Sequence, residues 1–302
     1  MKKIDVKIGY SCNNHCKFCI QESRRNLRNN QTTEDVKSVL VKEKENFEEV
    51  VFTGGEVTIR DDIFELIRYA KNCGYRTVRI QSNGRMFSYL DFCQKMIDAG
   101  ADEFMLSIHG STSQIHDSLT CAKGSFEQTL KGIRNLKKIN KNVYVNSVVN
   151  KKNYHDLSNL AKVLIEIKVD SYQFAFMHIN PIIQKNAKLI KEIVPRYNEV
   201  RLYVEQALQA GIDADIQVRA EAFPFCTLDE KYHGNISENY AADSFIYENK
   251  RISDFKKAKQ DGVKTKGEKC KQCKFYGKCE GPWCEYPKIF GFEEFKPIKN
   301  NE

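Results

Sequence analysis

Residues 12–19 read Cys-Asn-Asn-His-Cys-Lys-Phe-Cys, and they closely follow Ile4 to Ile8, where apolar and charged residues alternate as in an edge strand. Cys12, Cys16 and Cys19 therefore lie on one short loop after a strand. Three thiolates at this spacing can bind three irons of a four-iron cluster and leave the fourth iron without a protein ligand. A structural metal site normally fills its last position. The pattern indicates a reactive centre, with a zinc site or three unrelated core cysteines as the alternatives.

Strand and helix signals alternate from residue 4 to about residue 218. Six strand–helix units in a row predict a parallel sheet with helices outside it. Six units are too few for a closed eight-stranded barrel, so we expect an α/β fold, an open partial (β/α)6 TIM barrel. Beyond this pattern, Ile212 to Val218 predicts a strand as half of a hairpin, and residues 228–268 are polar enough to predict a long connection.

Glycine and polar residues follow the predicted strands at their carboxyl ends. Thr53-Gly54-Gly55-Glu56 ends the second strand, and Gln81-Ser82-Asn83-Gly84 ends the third. Ligand-binding groups of parallel sheets gather at this edge. Two glycines let the backbone come close to a ligand, and the Glu56 carboxylate can accept from an ammonium group. The alternative at each position is an ordinary turn.

Together these motifs resemble the radical S-adenosylmethionine (SAM) superfamily, in which an aromatic residue such as Phe18 precedes the last cysteine of the loop. The resemblance implies that the open iron binds SAM and splits it to a 5′-deoxyadenosyl radical. It also implies that Gly-Gly-Glu lies at the SAM amino group, although the family usually has proline where Val57 stands. The SAM-binding residues it implies are Phe18, Gly54, Gly55, Glu56, Ser82, Asn83, Ser107 and Asn146.

A second group of cysteines lies near the C-terminus, as Cys270-x2-Cys273-x5-Cys279 with Cys226 upstream and Cys284 downstream. Four thiolates can close a second [4Fe–4S] cluster or a zinc site, and this segment is too short for an apolar core of its own. The arrangement resembles the auxiliary modules called twitch and SPASM. The resemblance implies that Cys226, Cys270, Cys273 and Cys279 are the ligands of one auxiliary cluster. Cys284 is a fifth candidate ligand, a catalytic hydrogen donor or a packing residue.

The domain division expected from these patterns places a radical SAM partial barrel at residues 1–212 and a twitch/SPASM-like auxiliary [4Fe–4S] domain at residues 213–302. The cofactors implied are two [4Fe–4S] clusters and SAM. By their position in the chain, Tyr10, Arg85, His178 and Glu221 are further candidates to line the cavity.

Composition excludes several classes of protein. The chain has 302 residues, of which 41% are hydrophobic and 29% charged, as in ordinary globular proteins. No apolar run is long enough for a transmembrane helix, and the N-terminus lacks an apolar signal region. We therefore expect a cytoplasmic protein without a membrane partner, and its eleven cysteines point to metal binding and not to a disulfide scaffold.

The formal net charge is +8, but the lysines and arginines are spread over predicted helix surfaces. Scattered solvated side chains are favoured over a face for RNA or an acidic peptide, so nucleic acid is not favoured as a partner.

The resemblance implies an enzyme that abstracts a hydrogen atom from its substrate, and a peptide or protein, as in ribosomal peptide maturation, is the favoured substrate. The alternatives are a small-molecule dehydrogenase or cyclase, a tRNA-modifying enzyme, and a non-enzymatic iron–sulfur or zinc scaffold. Expected partners are the substrate and an electron donor such as flavodoxin or ferredoxin. No leader-binding module precedes the first strand, so a separate leader-peptide-binding protein is a further expected partner.

Overall fold

The computed structural model describes residues 2–21, 29–237, 244–248, 250–251 and 262–299. In these ranges one sheet contains the strands β1 Lys3–Lys7, β2 Glu49–Thr53, β3 Thr77–Ser82, β4 Glu103–Ser107, β5 Asn142–Val149, β6 Ser171–Phe176, β7 Gln217–Glu221, β8 Ser244–Glu248 and β9 Lys250–Arg251. The α-helices are α1 Thr33–Glu43, α2 Ile63–Asn72, α3 Leu90–Ala99, α4 Ser113–Thr120, α5 Ser125–Lys138, α6 Leu157–Glu166, α7 Pro181–Gln184, α8 Ala187–Ile193, α9 Tyr197–Asp213 and α10 Tyr286–Phe290.

The strand order is β7-β6-β5-β4-β3-β2-β1-β8-β9, and every pair from β7 to β8 is parallel. Asp5 on β1 and Glu221 on β7 stand far apart in this order, yet their charges interact. The sheet therefore curves round a lumen and forms the expected partial barrel. Burial raises the pKa of Asp5, and the Glu221 carboxylate adds to that rise.

Polar side chains close the lumen at the amino ends of the strands. The Arg79 guanidinium lies 3.2 Å from a Glu49 carboxylate oxygen and also pairs with Glu103, which accepts a hydrogen bond of 3.1 Å from the Tyr144 hydroxyl. The alternate residues of these strands are fully buried and form the apolar core with the helices. The opposite edge of the barrel, at the carboxyl ends of the strands, is therefore where a site can form.

Local signals set the ends of two helices. At the start of α1, the Thr32 hydroxyl accepts from the Asp35 backbone N–H and the Asp35 carboxylate accepts from the Thr32 N–H, which is a capping box. At the end of α3, Gly100 has a φ of 109°, in the left-handed region that favours glycine.

Two strands differ from the expectation. β7 is parallel to β6 and so belongs to the barrel sheet and not to a hairpin. The segment 228–268, expected to be a connection, contributes β8, which pairs in parallel with β1. The sequence Phe-Ile-Tyr at positions 245–247 consists of residues that favour strands, and the polar residues around it hide this short signal.

Among the helices that the structure describes, none combines the length and the apolar character needed to cross a membrane.

Candidate active site

The first cysteine loop docks on the C-terminal end of α4. The His15 N–H donates to the Thr120 carbonyl at 2.8 Å, and the Lys17 N–H donates to the Leu119 carbonyl at 3.0 Å. The last carbonyls of a helix have no partner within the helix, so α4 offers acceptors that fix the loop backbone. The sequence analysis did not predict α4, whose N-cap is Thr112.

Residues after β3 hold the same loop from another side. The Asn83 side-chain amide donates to the Asn13 side-chain oxygen at 2.6 Å. The Arg85 guanidinium donates to the Asn13 carbonyl and, at 3.0 Å, to the Asn14 side-chain oxygen, while its Nε donates to Gln128 of α5 at 2.7 Å. Arg85 therefore links α5 to the cysteine loop through charge-assisted hydrogen bonds.

Phe18 packs inward from the loop, edge-on against the His109 ring, with ring centroids 4.8 Å apart. The His109 Nδ1 accepts from the Val148 N–H at 3.2 Å, and its backbone N–H donates to His116 Nδ1 at 3.0 Å. Burial lowers the pKa of His109 well below its ordinary value and lowers that of His116 to about 4. Both rings are thus neutral at pH 7, and His109 carries its proton on Nε2.

The Gly-Gly-Glu loop meets the first residues after β1. The Gly55 N–H donates to the Gly9 carbonyl at 2.8 Å, and the Glu56 N–H donates to the Ser11 carbonyl at 2.7 Å. A Cβ on Gly55 would lie 2.1 Å from the Ser11 carbonyl oxygen, and one on Gly54 would lie 2.4 Å from that of Gly9. Both positions require glycine because the two loops touch through their backbones.

The Glu56 carboxylate points into the protein and is 2% exposed. It accepts hydrogen bonds from the Thr58 N–H and hydroxyl at 3.0 and 2.6 Å, from the Ser82 hydroxyl at 2.7 Å and from the Asn83 N–H at 2.6 Å. Burial raises the pKa of Glu56, and these hydrogen bonds oppose the rise. The side chain therefore ties the end of β2 to the end of β3.

Ser107, the last residue of β4, lies beside Asn146 in the middle of β5. The Asn146 side-chain oxygen accepts from Gln173 Nε2 at 3.0 Å, and the same Gln173 nitrogen donates to a Glu221 carboxylate oxygen at 2.6 Å. These three side chains form a row across β5, β6 and β7. Gln173 was not among the residues predicted from the sequence, and its pairing with Asn146 depends on the register between β5 and β6.

The tail cysteines surround a small, mainly apolar cavity. Cys226, Cys270, Cys273 and Cys279 line it, together with Phe225. Burial, together with the neighbouring thiols of Cys279, Cys270 and Cys273, raises the pKa of the Cys226 thiol to about 12. The structure thus brings together the four cysteines that the sequence grouped, although Cys226 is remote from the others along the chain.

Aromatic contacts fix this module on the barrel. The rings of Phe225 and Phe275 are stacked with centroids 4.3 Å apart, which joins the Cys226 turn to the tail. The Tyr197 N–H at the start of α9 donates to the Tyr286 hydroxyl at 3.2 Å, and this hydroxyl donates to the buried Glu294 carboxylate.

Cys284 lies apart from the four-cysteine cavity, whose lining does not include it. Its neighbour Glu285 lies 3.3 Å from His178, just after β6, and the Trp283 indole N–H donates to the Phe176 carbonyl at 3.2 Å. Cys284 is therefore on a segment that packs against the carboxyl end of β6. Burial raises the pKa of its thiol, and the Glu285 carboxylate adds to the rise.

Backbone hydrogen bonds to two of the cysteine sulfurs indicate that both groups of cysteines fit iron–sulfur clusters. The Asn14 N–H donates to Cys12 Sγ and the Gly281 N–H donates to Cys279 Sγ, both at 3.4 Å. Amide hydrogen bonds to cysteine sulfurs stabilise the thiolates that clusters require. Within the described ranges, no three His, Cys, Asp or Glu side chains are arranged around a single metal ion.

Comparison with known proteins agrees with this geometry. The family model described as the radical SAM superfamily matches residues 6–164. The chain is 27% identical to the AdoMet-dependent heme synthase of Methanosarcina barkeri over 168 residues, which are 55% of this chain and 48% of that one. It is 28% identical to the probable GTP 3′,8-cyclase of Sulfurisphaera tokodaii over 180 residues, 59% of this chain and 56% of that one. The chain thus spans about half the length of these curated relatives.

Similarity of fold extends further along the chain. SuiB of Streptococcus suis bound to S-adenosylmethionine has a TM-score of 0.67 at 16% identity, covering 98% of this chain and 76% of SuiB. Native anSMEcpe with bound AdoMet has a TM-score of 0.68 at 16% identity, covering 94% of this chain and 90% of that one. The structural matches support the fold, and the family model covers more than half of the residues. The chain therefore belongs to the radical SAM superfamily.

Proposed function

We propose that this enzyme modifies a peptide or protein substrate after cleaving SAM at the loop of Cys12, Cys16 and Cys19. The observation that carries the proposal is the fold similarity to SuiB, which covers 98% of this chain and so includes the tail. SuiB was also solved bound to its precursor peptide SuiA, and that structure has a TM-score of 0.62 at 17% identity, covering 81% of this chain and 56% of SuiB.

Cys12, Cys16 and Cys19 would hold the reactive [4Fe–4S] cluster, since their loop is fixed by α4 and by Arg85. When bound, this cluster supplies one electron to SAM, whose carbon–sulfur bond breaks to give methionine and the 5′-deoxyadenosyl radical. The protein's part is to orient SAM and to keep water and other hydrogen donors away from the radical.

The SAM site would lie along the carboxyl ends of β2 to β5. The Glu56 carboxylate is directed at Ser82 and Asn83. The amino group of SAM would therefore bind to backbone groups of the Gly54–Glu56 turn. We assign that carboxylate a positioning role. Residues lining the rest of the site would be Phe18, Ser82, Asn83, Ser107 and Asn146.

The tail would bind a second [4Fe–4S] cluster through Cys226, Cys270, Cys273 and Cys279, in a twitch-like module within residues 213–302. β7 joins the barrel sheet at the start of this range, so the two parts share a strand. Zinc is the alternative occupant. Cys284 lies outside the cavity, on a segment that packs against the end of β6, and we infer for it a role as hydrogen donor to the substrate and not as a metal ligand.

The curated relatives favour a second candidate function, the modification of a small molecule. A heme synthase and a probable GTP cyclase each match more than half of this chain in sequence. The peptide proposal rests instead on the fold similarity to SuiB, which extends over nearly the whole chain. A cytoplasmic enzyme of this kind would work with flavodoxin or ferredoxin and with a separate leader-peptide-binding protein.

The test is mass spectrometry of candidate peptides and small molecules incubated anaerobically with the reconstituted enzyme, SAM and dithionite. We expect a peptide whose mass changes only when reductant is present. Deuterium placed on the attacked carbon should appear in 5′-deoxyadenosine. If a small molecule changes in mass while peptides from the neighbouring reading frames do not, the enzyme modifies a small molecule and the peptide proposal is wrong.

Arg85→Ala is expected to lower SAM cleavage by about 10–100-fold, the range typical of residues that support metal ligands. The substitution removes the guanidinium that holds Asn13 and Asn14. Loss of a positive charge beside an anionic cluster should also make its reduction potential more negative. Redox titration followed by electron paramagnetic resonance measures this shift. Arg134→Ala, an exposed change on the same helix as Gln128, is the matched control. Equal potentials in the two variants would contradict the role of Arg85.

A further inference from the structure

The fold gathers lysines that the sequence scatters. We call Lys17, Lys123, Lys151, Lys152, Lys188 and Lys191 the lysine face. Lys17 lies on the first cysteine loop, and Lys151 and Lys152 follow β5. The ammonium groups of Lys17 and Lys152 converge on one carboxylate oxygen of Glu192, at 3.5 and 2.7 Å. The cysteine loop and the segment after β5 therefore meet α8 at one place on the surface.

Further contacts connect the remaining lysines. The Lys151 N–H donates to the Ile193 carbonyl at 2.9 Å, and its ammonium group donates to the Lys191 carbonyl at 3.3 Å. Lys188 and Lys191 are both exposed and stand three residues apart on α8, so they share a face of that helix. Lys123 lies on the turn between α4 and α5, directly after the Leu119 and Thr120 carbonyls that bind the backbone of the cysteine loop, so it belongs to the same region.

The carboxylates in this region leave a strong positive excess. Glu192 is shared by two lysines, and Glu127, in the first turn of α5, is exposed. Asp117 is turned inward, where it accepts from the Gly124 and Phe126 N–H groups. Among the described residues of this region, the six lysines of the lysine face thus oppose two exposed carboxylates, those of Glu192 and Glu127.

Two exposed apolar side chains border the cysteine loop. Ile20 is 51% exposed and directly follows Cys19, and Ile182 at the start of α7 is 43% exposed. Asn180 joins their segments, since its amide donates to the Cys19 carbonyl at 3.0 Å and its oxygen accepts from the Ile182 N–H at 2.9 Å. Small, transient interfaces, including those of electron-transfer proteins, consist of an apolar patch with a polar or charged rim. The two isoleucines and the lysine face have this arrangement.

We propose that the lysine face docks an acidic protein that carries a low-potential electron, of the flavodoxin class. The proposal rests on the assignment of Cys12, Cys16 and Cys19 as cluster ligands in the proposed function, because that assignment puts the electron acceptor behind this surface. The carrier loses one electron, which the bound cluster gains, and no bond forms between the two proteins. Clustered cations raise the rate at which an acidic partner finds such a surface.

The test compares two triple variants of the reconstituted enzyme with the same change in charge. Lys152→Glu/Lys188→Glu/Lys191→Glu reverses the lysine face. Lys42→Glu/Lys95→Glu/Lys131→Glu reverses three exposed lysines on α1, α3 and α5 and is the matched control. Oxidised flavodoxin is titrated against each by its flavin fluorescence at low and at high salt, a measurement that needs no turnover.

We expect the face variant to bind flavodoxin at least about tenfold more weakly at low salt, and to lose most of the salt dependence that the control keeps. SAM cleavage driven by reduced flavodoxin should fall accordingly, while cleavage driven by dithionite stays equal in the two variants. Equal flavodoxin affinities would overturn the proposal. If the face variant keeps its flavodoxin affinity but loses binding to the substrate peptide or to tRNA, the proposal is also overturned, and the lysine face binds that partner instead. Absence of dithionite-driven cleavage in the parent enzyme would instead refute the cluster assignment.

Discussion

The Cys16→Ala enzyme is expected to release 5′-deoxyadenosine at least about a thousandfold more slowly than the parent, since loss of a ligand should exceed the 10–100-fold effect of supporting residues. Cys16 is the middle cysteine of the first loop, and without its thiolate one iron of the cluster has no anchor. The fold should survive, because the loop is held through the backbone of His15 and Lys17. Chromatography of SAM products after addition of dithionite measures the effect.

Two other cysteines provide the controls for this prediction. Cys121 is exposed and Cys73 is half-buried on the barrel, and neither belongs to a cysteine group of the sequence. Cys121→Ala and Cys73→Ala should keep the parent's iron content and its SAM cleavage. Retained cleavage in Cys16→Ala, or an equal loss in Cys121→Ala, would remove the first loop as the site of the chemistry.

The barrel could be predicted from the sequence because its signals are local. Alternating apolar residues mark strands such as β1, and glycine marks helix ends such as Gly100. The first cysteine loop is equally local, since all its thiols lie within residues 12–19. β8 escaped notice because its few strand-forming residues lie in a polar segment and its partner, β1, is at the other end of the chain.

Contacts between distant residues could not be predicted. The position of Arg85 after a strand made it a candidate to line the cavity, but the sequence did not show that its guanidinium binds the Asn13 carbonyl of the cysteine loop. The direction of the Glu56 carboxylate was also hidden, because a Gly-Gly-Glu turn is compatible with a side chain that faces either a ligand or the protein. The gathering of the lysine face depends in the same way on α8 meeting the segment after β5.

The sequence likewise could not show that Cys284 lies apart from the other tail cysteines. In the sequence it follows Cys279 as closely as Cys279 follows Cys273, so spacing alone gave five candidates for four positions. The structure places Cys226 in the cavity and directs the segment of Cys284 toward His178. We therefore expect Cys226 to be a ligand of a second cluster and Cys284 not to be one.

The Cys279→Ala enzyme is expected to hold about four irons and four sulfides per chain, in place of the eight expected of the reconstituted parent. Cys279 lines the tail cavity and accepts a hydrogen bond from the Gly281 N–H. The first loop is anchored on α4 and does not depend on this cavity, so dithionite should still drive SAM cleavage, while modification of the substrate should be lost. The tail itself should stay docked through Tyr286 and Tyr197.

Cys284→Ala is the matched control, because it removes a thiol only five residues away that lies outside the cavity. It should keep about eight irons per chain, which iron and sulfide analysis would distinguish from the content of Cys279→Ala. If substrate modification falls in Cys284→Ala while iron stays constant, Cys284 acts on the substrate side. Unchanged iron in Cys279→Ala would mean that the four-cysteine cavity does not hold a cluster. One equivalent of zinc that is bound by the parent and lost from Cys279→Ala would assign the cavity to that metal.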